Sequence, residues 1–158
     1  MSAADLDAFW HQCRQDLGLS DEVRWRTRRL GDSPEICALL VELIRTGRKT
    51  GTFSLLAEFE ETGRPPPQAG EFLVITNYDG QPGCCVRLET VECLPFERVD
   101  EAWVQVEGPS LRELGPWREI HEQYWTQMLG RWGRSFTREI PVLCQRFGPP
   151  HVPRVERA

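Results

Sequence analysis

Apolar residues recur at helical spacing towards both ends of the chain and at strand-like spacing between them. Leu6, Phe9, Trp10, Cys13 and Leu17 share one face of a 3.6-residue period, which predicts an amphipathic helix over residues 3–17, capped by Ser2 and ended near Gly18. Residues 19–31 read as an arginine-rich connector. A second helix follows, with Asp32 or Ser33 as cap, Pro34 in its first turn, Cys37, Leu40, Val41 and Ile44 on one face, and Gly47 as its stop. The period then changes. Residues 50–57 read as a strand, and Gly63 with Pro65, Pro66 and Pro67 as a stiff surface loop. Residues 71–78 and 83–93 read as strands flanking an Asp79-Gly80 hairpin turn. Pro95-Phe96 breaks that run, and residues 99–106 read as a short helix. Ser110 and Glu113 have capping-box spacing ahead of a helix through Trp117, Ile120, Tyr124, Trp125 and Met128. Residues 139–147 read as a final strand, and the Pro-rich tail after Gly148 as loose. Antiparallel strands interrupted by helices predict an α+β fold, a small β-barrel with helices packed at its rim.

Composition narrows the setting. At 18.2 kDa and 40% hydrophobic, the chain suits one domain with its own core. No run approaches the roughly 18 apolar residues that cross a membrane, and the opening MSAADLDAFW is acidic and lacks an apolar signal core. Cys13, Cys37, Cys84, Cys85, Cys93 and Cys144 form no CxxC pair and sit among apolar residues, which predicts buried free thiols rather than zinc ligands or disulfides. These features point to the cytoplasm. A net charge of -5 argues against tight non-specific binding to nucleic acid, although Arg24-Trp25-Arg26-Thr27-Arg28-Arg29 leaves a local basic edge open.

Charge usage also singles out one residue. The chain holds 19 basic residues, of which only Lys49 is lysine, set in Thr46-Gly47-Arg48-Lys49-Thr50-Gly51-Thr52. An ammonium can lose its proton when desolvated, whereas a guanidinium effectively cannot. At the end of a predicted helix, Arg45, Arg48 and Lys49 also suit the negative end of the dipole and need no further role. Pointed into a cleft, Lys49 is either a base for the Thr52 hydroxyl or a cation for a developing oxyanion. Glu107, before Gly108, is either a surface carboxylate or the partner of Lys49 across that cleft. Burial and a close carboxylate press on a lysine in opposite senses, so sequence leaves both roles open. The three histidines, at 11, 121 and 151, show no metal-ligand spacing, so no metal or cofactor is expected. Tyr78, Trp103, Trp117, Tyr124, Trp125 and Trp132 supply core, with one or two free to stack on a base. Ser135 is a cap or a polar group at the barrel mouth.

The stretch from Trp25 to Phe147 resembles the ASCH domain family of PUA-like β-barrels, in particular its longer bacterial members. The resemblance runs through Leu30-Gly31-Asp32-Ser33-Pro34, the GxKxxT pattern Gly47-Arg48-Lys49-Thr50-Gly51-Thr52, and Pro67-Gln68-Ala69-Gly70-Glu71. It continues in Pro95-Phe96-Glu97-Arg98-Val99, Glu107-Gly108, Trp117-Arg118 with His121, and Val142-Leu143-Cys144 with Phe147. The resemblance implies a barrel of about five or six strands, an N-terminal helical extension over 1–24, the domain proper over 25–147 and a tail over 148–158. It also implies one of two activities. The first is hydrolysis of the amide in N4-acetylcytidine-type nucleosides, with Lys49, Thr52 and Glu107 as the catalytic set. The second is binding or cleavage of single-stranded RNA in the same basic pocket. Arg48, Tyr78, Trp117, His121 and Ser135 are the candidate binding residues. The chain departs from the pattern at Gly51, where longer members often carry alanine and where glycine is expected to loosen the turn holding Thr52. It departs again at Pro109-Ser110 and at Trp103, where an acidic and a smaller residue are expected.

Overall fold

The computed structural model describes residues 3–154, so the Ser2 cap and the last four residues of the tail lie outside the described chain. Among the described residues there are five α-helices and five strands. Helix α1 spans Ala3–Asp16, strand β1 Trp25–Arg29, helix α2 Pro34–Arg45, strand β2 Gly51–Leu55 and helix α3 Leu56–Thr62. Strands β3 (Phe72–Thr76) and β4 (Pro82–Pro95) form the hairpin, followed by helix α4 (Glu101–Val104), helix α5 (Leu114–Gly130) and strand β5 (Pro141–Phe147).

The strands form one mixed sheet in the order β1-β3-β4-β5-β2, parallel only where β1 meets β3. Strand β4 pairs β3 through its first half and β5 through its second, with an irregularity between Leu88 and Thr90 where it changes partner. Bulges bend a strand and raise its twist, and this one lets the sheet curl. The curl brings the two edge strands together: Arg28 on β1 donates to Ser54 on β2 at 2.6 Å. The result is a half-barrel whose remaining gap is bridged by side chains rather than by a backbone ladder.

Each side of the sheet buries its own apolar set. Leu73 and Ile75 of β3 pack inside with Cys84, Val86, Leu88 and Ile44 of α2. Phe72 and Val74 face the other way, beneath Trp10 and Cys13 of α1, and Trp10 stacks on Trp25 at 5.3 Å and 16°. A strand covered on both faces reads as an unbroken apolar run, as Phe-Leu-Val-Ile does. On β2 and β5, Phe53, Leu55, Val142 and Cys144 pack against Trp117, Trp125 and Leu129 of α5. Thr52, Ser54 and Gln145 lie on the opposite face, as strand alternation requires.

Several expectations need correction. The arginine-rich connector contains β1, because Trp25 has α1 to pack against, a contact that periodicity alone does not reveal. The strand expected over 50–57 stops at Leu55 and turns into α3, which ends at Gly63 in the left-handed conformation (φ 71°). Ser110 does not cap α5; it lies in a 3-10 turn over Pro109–Leu111, and the helix starts after Glu113 without a side-chain cap. The tail is not loose as far as residue 154. His151 exchanges backbone hydrogen bonds with Cys85, its Nε2 lies 2.8 Å from Asp16 Oδ2, and Pro153 is buried. Five cysteines are buried as free thiols, whereas Cys93 is exposed. Among the described residues no helix is long and apolar enough to cross a membrane.

Candidate functional site

Lys49 enters the interior because helix α2 ends just before it. Ser33 caps that helix at its start, accepting from the Ile36 N–H, and Gly47 leaves it with φ 74°, a conformation glycine adopts without a Cβ penalty. The Leu43 carbonyl then accepts from both the Arg48 and Lys49 N–H groups at 2.9 Å, and Thr50 N–H donates to the Val106 carbonyl at 2.8 Å. The last bond ties the Lys49 turn to the segment that carries Glu107.

Two further contacts fix that junction. Arg112 Nε donates to the Glu107 carbonyl at 2.9 Å and its Nη2 to the Arg48 carbonyl at 2.6 Å, so one guanidinium clamps both loops. Leu43 packs against Gly108, where an added Cβ would come within 2.7 Å of the leucine Cδ1. The side chains meet as a consequence. Lys49 Nζ donates to Glu107 Oε2 at 3.1 Å, with Lys49 and Glu107 only 3% and 6% exposed at their side chains.

His121 on α5 is the third member. Its Nδ1 lies 2.8 Å from the Trp117 carbonyl, which can only accept, so Nδ1 carries the proton. Nε2 then faces Glu107 Oε1 from 4.0 Å, beyond hydrogen-bond reach. Burial pushes the imidazole below its ordinary 6.5, the Lys49 charge adds to that, and Glu107 and the Trp117 carbonyl oppose it. The ring lies stacked on Trp117 at 4.3 Å and edge-on to Phe53 at 6.1 Å.

Thr52 follows on β2, buried and opposite Gln145 in the register. Its hydroxyl has no hydrogen-bond partner among the described residues. Gly51 does not loosen this strand. A Cβ there would run into the Gln145 carbonyl and come within 2.8 Å of Val106, so glycine allows a close approach of three segments. Trp103 is accommodated by donating to Glu92 at 3.2 Å, with Arg146 over its ring at 3.9 Å.

The remaining candidate binding residues are dispersed. Arg48 is exposed and its Nε turns back to Thr46 Oγ1 at 3.2 Å. Tyr78 sits beyond the β3 strand end with the Arg29 guanidinium 4.9 Å over its ring. Trp117 is fully buried and offers no face to a ligand. Ser135 is exposed between α5 and β5. The structure thus brings Lys49, Glu107 and His121 together and places Thr52 on the adjoining strand.

Arg112, Arg28, Ser54 and Gln145 carry polar contacts that sequence reading overlooked. Gln145 had a signal: it is an amide directly after the apolar run Val142–Cys144, and it is 1% exposed. Two of the four arginines in the run are likewise committed inward, while Arg24 and Arg29 are exposed. Arg26 is held by Glu71 at 3.0 Å and by the Pro65 carbonyl at 2.7 Å, and Arg28 by Ser54 and Glu58.

A surface cleft of about 560 Å³ lies along Arg24, Trp25, Arg26, Arg64 and Glu71. Its acidic group is tied to Arg26, and its one hydroxyl, that of Thr27, has no lysine or histidine beside it in the lining. Lys49 itself borders a cleft of about 380 Å³ walled by Ile44, Val86, Phe147 and Pro149. Among the described residues no group of three or more His, Cys, Asp or Glu is placed to hold a metal ion.

Comparison with known proteins agrees with the architecture. The family model described as ASCH domain matches residues 27–149. The ASCH domain of Lactobacillus crispatus JV V101 superposes with a TM-score of 0.79 at 23% identity, covering 89% of this chain and 91% of that one. A protein of Enterococcus faecalis V583 superposes with a TM-score of 0.83 at 27% identity, covering 96% and 91%. No curated protein sequence matches the chain significantly.

Proposed function

Because the chain belongs to the ASCH domain family and buries its only lysine against a carboxylate, we propose that it is a hydrolase removing the acyl group from the exocyclic nitrogen of an N4-acylated cytosine nucleoside. The observation that carries this reading is the Lys49–Glu107 pair at 3.1 Å, with Lys49 three positions before a threonine whose hydroxyl has no hydrogen-bond partner among the described residues. A buried ion pair contributes little net stability compared with apolar packing, so its retention suits a pair that exchanges protons.

In this scheme Lys49 passes a proton to Glu107, and the resulting amine takes the proton of the Thr52 hydroxyl. The Thr52 oxygen attacks the acyl carbon. Lys49, now charged again, stabilises the oxyanion of the tetrahedral species. The C–N bond then breaks as Glu107 returns its proton to the exocyclic nitrogen, giving cytidine and an acyl-threonine ester. Water activated by the same pair hydrolyses the ester and restores the hydroxyl. No external reductant, oxidant or metal enters this balance.

Two features support a neutral nucleoside over an RNA strand. The chain is acidic overall, and the guanidinium groups of Arg26 and Arg28 are already engaged with carboxylates and carbonyl or hydroxyl oxygens. The deciding experiment is an assay of purified protein on N4-acetylcytidine and on a single-stranded RNA, with Lys49→Arg, Thr52→Ala and Thr52→Ser alongside. Turnover of the nucleoside that is insensitive to salt, lost in Lys49→Arg and Thr52→Ala and partly kept in Thr52→Ser, supports the scheme. RNA cleavage that falls steeply with salt and survives Lys49→Arg would instead assign Lys49 to phosphate contact.

A further inference from the structure

Strand β1 lies at one edge of the sheet and pairs only with β3. Phe72 N–H donates to the Arg24 carbonyl at 2.9 Å, so in this parallel ladder Arg26 and Arg28 turn their backbone groups to β3. The intervening Trp25 and Thr27 therefore direct their N–H and C=O groups outward. No turn, loop or side chain among the described residues bonds them. At its far end this edge is closed, because Arg28 reaches across to Ser54 of β2 at 2.6 Å. At its near end it is open. The cleft of about 560 Å³ is lined there by residues 24–27 and by Arg64, Pro65 and Gln68 of the loop after α3. Arg24 and Thr27 are both exposed.

Charge favours an acidic occupant. The guanidiniums of Arg24, Arg26 and Arg64 line the cleft against one carboxylate, that of Glu71, in a chain whose net charge is -5. Glu71 is held by Arg26 at 3.0 Å, and Arg64 shares Glu58 with Arg28. Arg24 has no ion-pair partner among the described residues. One uncompensated guanidinium is a thin base for a phosphate chain, whose affinity grows with the number of phosphates neutralised. An open strand edge instead offers donors and acceptors in alternation, which a second peptide backbone matches in both senses.

We propose that the β1 edge over residues 24–27 is a docking site for an extended acidic segment of a partner protein, added as a strand beside Trp25 and Thr27. The backbone groups of those two residues supply the ladder bonds, and an acidic side chain of the added strand faces the free Arg24 guanidinium. The cleft shares no lining residue with the one beside Lys49, so docking is separate from turnover.

Fluorescence anisotropy with a labelled short peptide alternating glutamate and valine tests this on the full chain. Two isomers of that peptide, N-methylated at the glutamates or at the valines, accompany it, with a lysine–valine peptide as the charge control. In an added strand only alternate residues bond the edge. One isomer should therefore bind as the parent does and the other about tenfold or more weaker. Arg24→Glu should weaken the parent to a similar degree, and the lysine peptide should not bind. Thr27→Pro removes an outward donor without breaking the β1–β3 ladder, and it too should lose binding at unchanged Tm. The methylated isomers leave the protein untouched, so they decide the matter should Thr27→Pro fail to fold. Equal binding of both isomers would reduce the cleft to a patch of charge. No binding of the acidic peptide would leave the arginines as guards against edge pairing. A uridine oligonucleotide that binds more tightly than the peptide, and loses affinity in Arg24→Glu, would assign the cleft to phosphates. Each of these three results overturns the proposal.

Discussion

Lys49 Nζ and Glu107 Oε2 lie 3.1 Å apart although 58 residues separate them in the chain. Neither side chain has a second hydrogen-bond partner among the described residues. Removing one partner should therefore be costly. Glu107→Leu is expected to destabilise the fold by about 3–5 kcal/mol, because it strands a buried ammonium. The double variant Lys49→Met/Glu107→Leu should regain most of that loss while having no turnover. Urea unfolding of the wild type, both single variants and the double variant checks this. A double variant no more stable than Glu107→Leu would contradict it.

Gly51→Ala should be among the most damaging small substitutions. The new methyl meets the Gln145 carbonyl, a backbone atom that cannot swing aside, and the Val106 side chain. Overpacking typically costs about 1–3 kcal/mol, and the upper end is expected here. The resulting shift of β2 away from β5 should also displace Thr52 and lower kcat. Thermal unfolding and kinetics on the same preparation test both effects.

Arg112→Met should loosen the Lys49 and Glu107 loops together, since one guanidinium holds both carbonyls. Each lost hydrogen bond is worth about 0.5–1.5 kcal/mol in stability. Arg112 acts through its neighbours, so kcat should fall more than KM rises. Arg112→Lys, which can reach only one carbonyl at a time, should fall between the two. A rise in KM with unchanged kcat would argue for direct substrate contact instead.

His121 sets a pH dependence whose sign follows from its lowered folded pKa. The unfolded chain binds a proton near pH 6.5 that the folded chain refuses. Stability is thus fully present above 6.5 and declines as pH falls from there towards the folded pKa, with a slope of at most about 1.4 kcal/mol per pH unit. His121→Asn should flatten that part of the curve. Asp16, held below its ordinary 3.8 by Gln12 and then His151, titrates outside this window. Denaturant midpoints between about pH 5 and 8 resolve the slope, and a slope unchanged in His121→Asn would remove the histidine from the account.

Several features were legible in the residues themselves. The α2 boundaries follow from Ser33, Pro34 and Gly47, whose capping and backbone preferences act locally. The hairpin at Asp79-Gly80 and the apolar β3 run follow from turn chemistry and two-sided burial. Lys49 stood out through usage and Thr52 through its spacing. Strand β1 did not, because Trp-Arg-Thr-Arg-Arg has no inward periodicity of its own and becomes a strand only beside β3. The capping-box spacing at Ser110 misled because the chain there is drawn into a tighter turn next to Arg112 and Gly108.

The sequence by itself determined the α+β character of this chain and its principal helices and strands, because caps, turns and periodicity are local, and its motif resemblance marked Lys49, Thr52 and Glu107 as candidates. Only the tertiary structure decided that the lone lysine is buried against Glu107, that His121 joins them while Trp117 is sealed in the core, and that Arg28 closes the barrel gap with one donor left free. Those outcomes depend on how far the sheet curls and which loops it brings together. They are long-range contacts whose free energy belongs to pairs of distant residues and is written in no single segment.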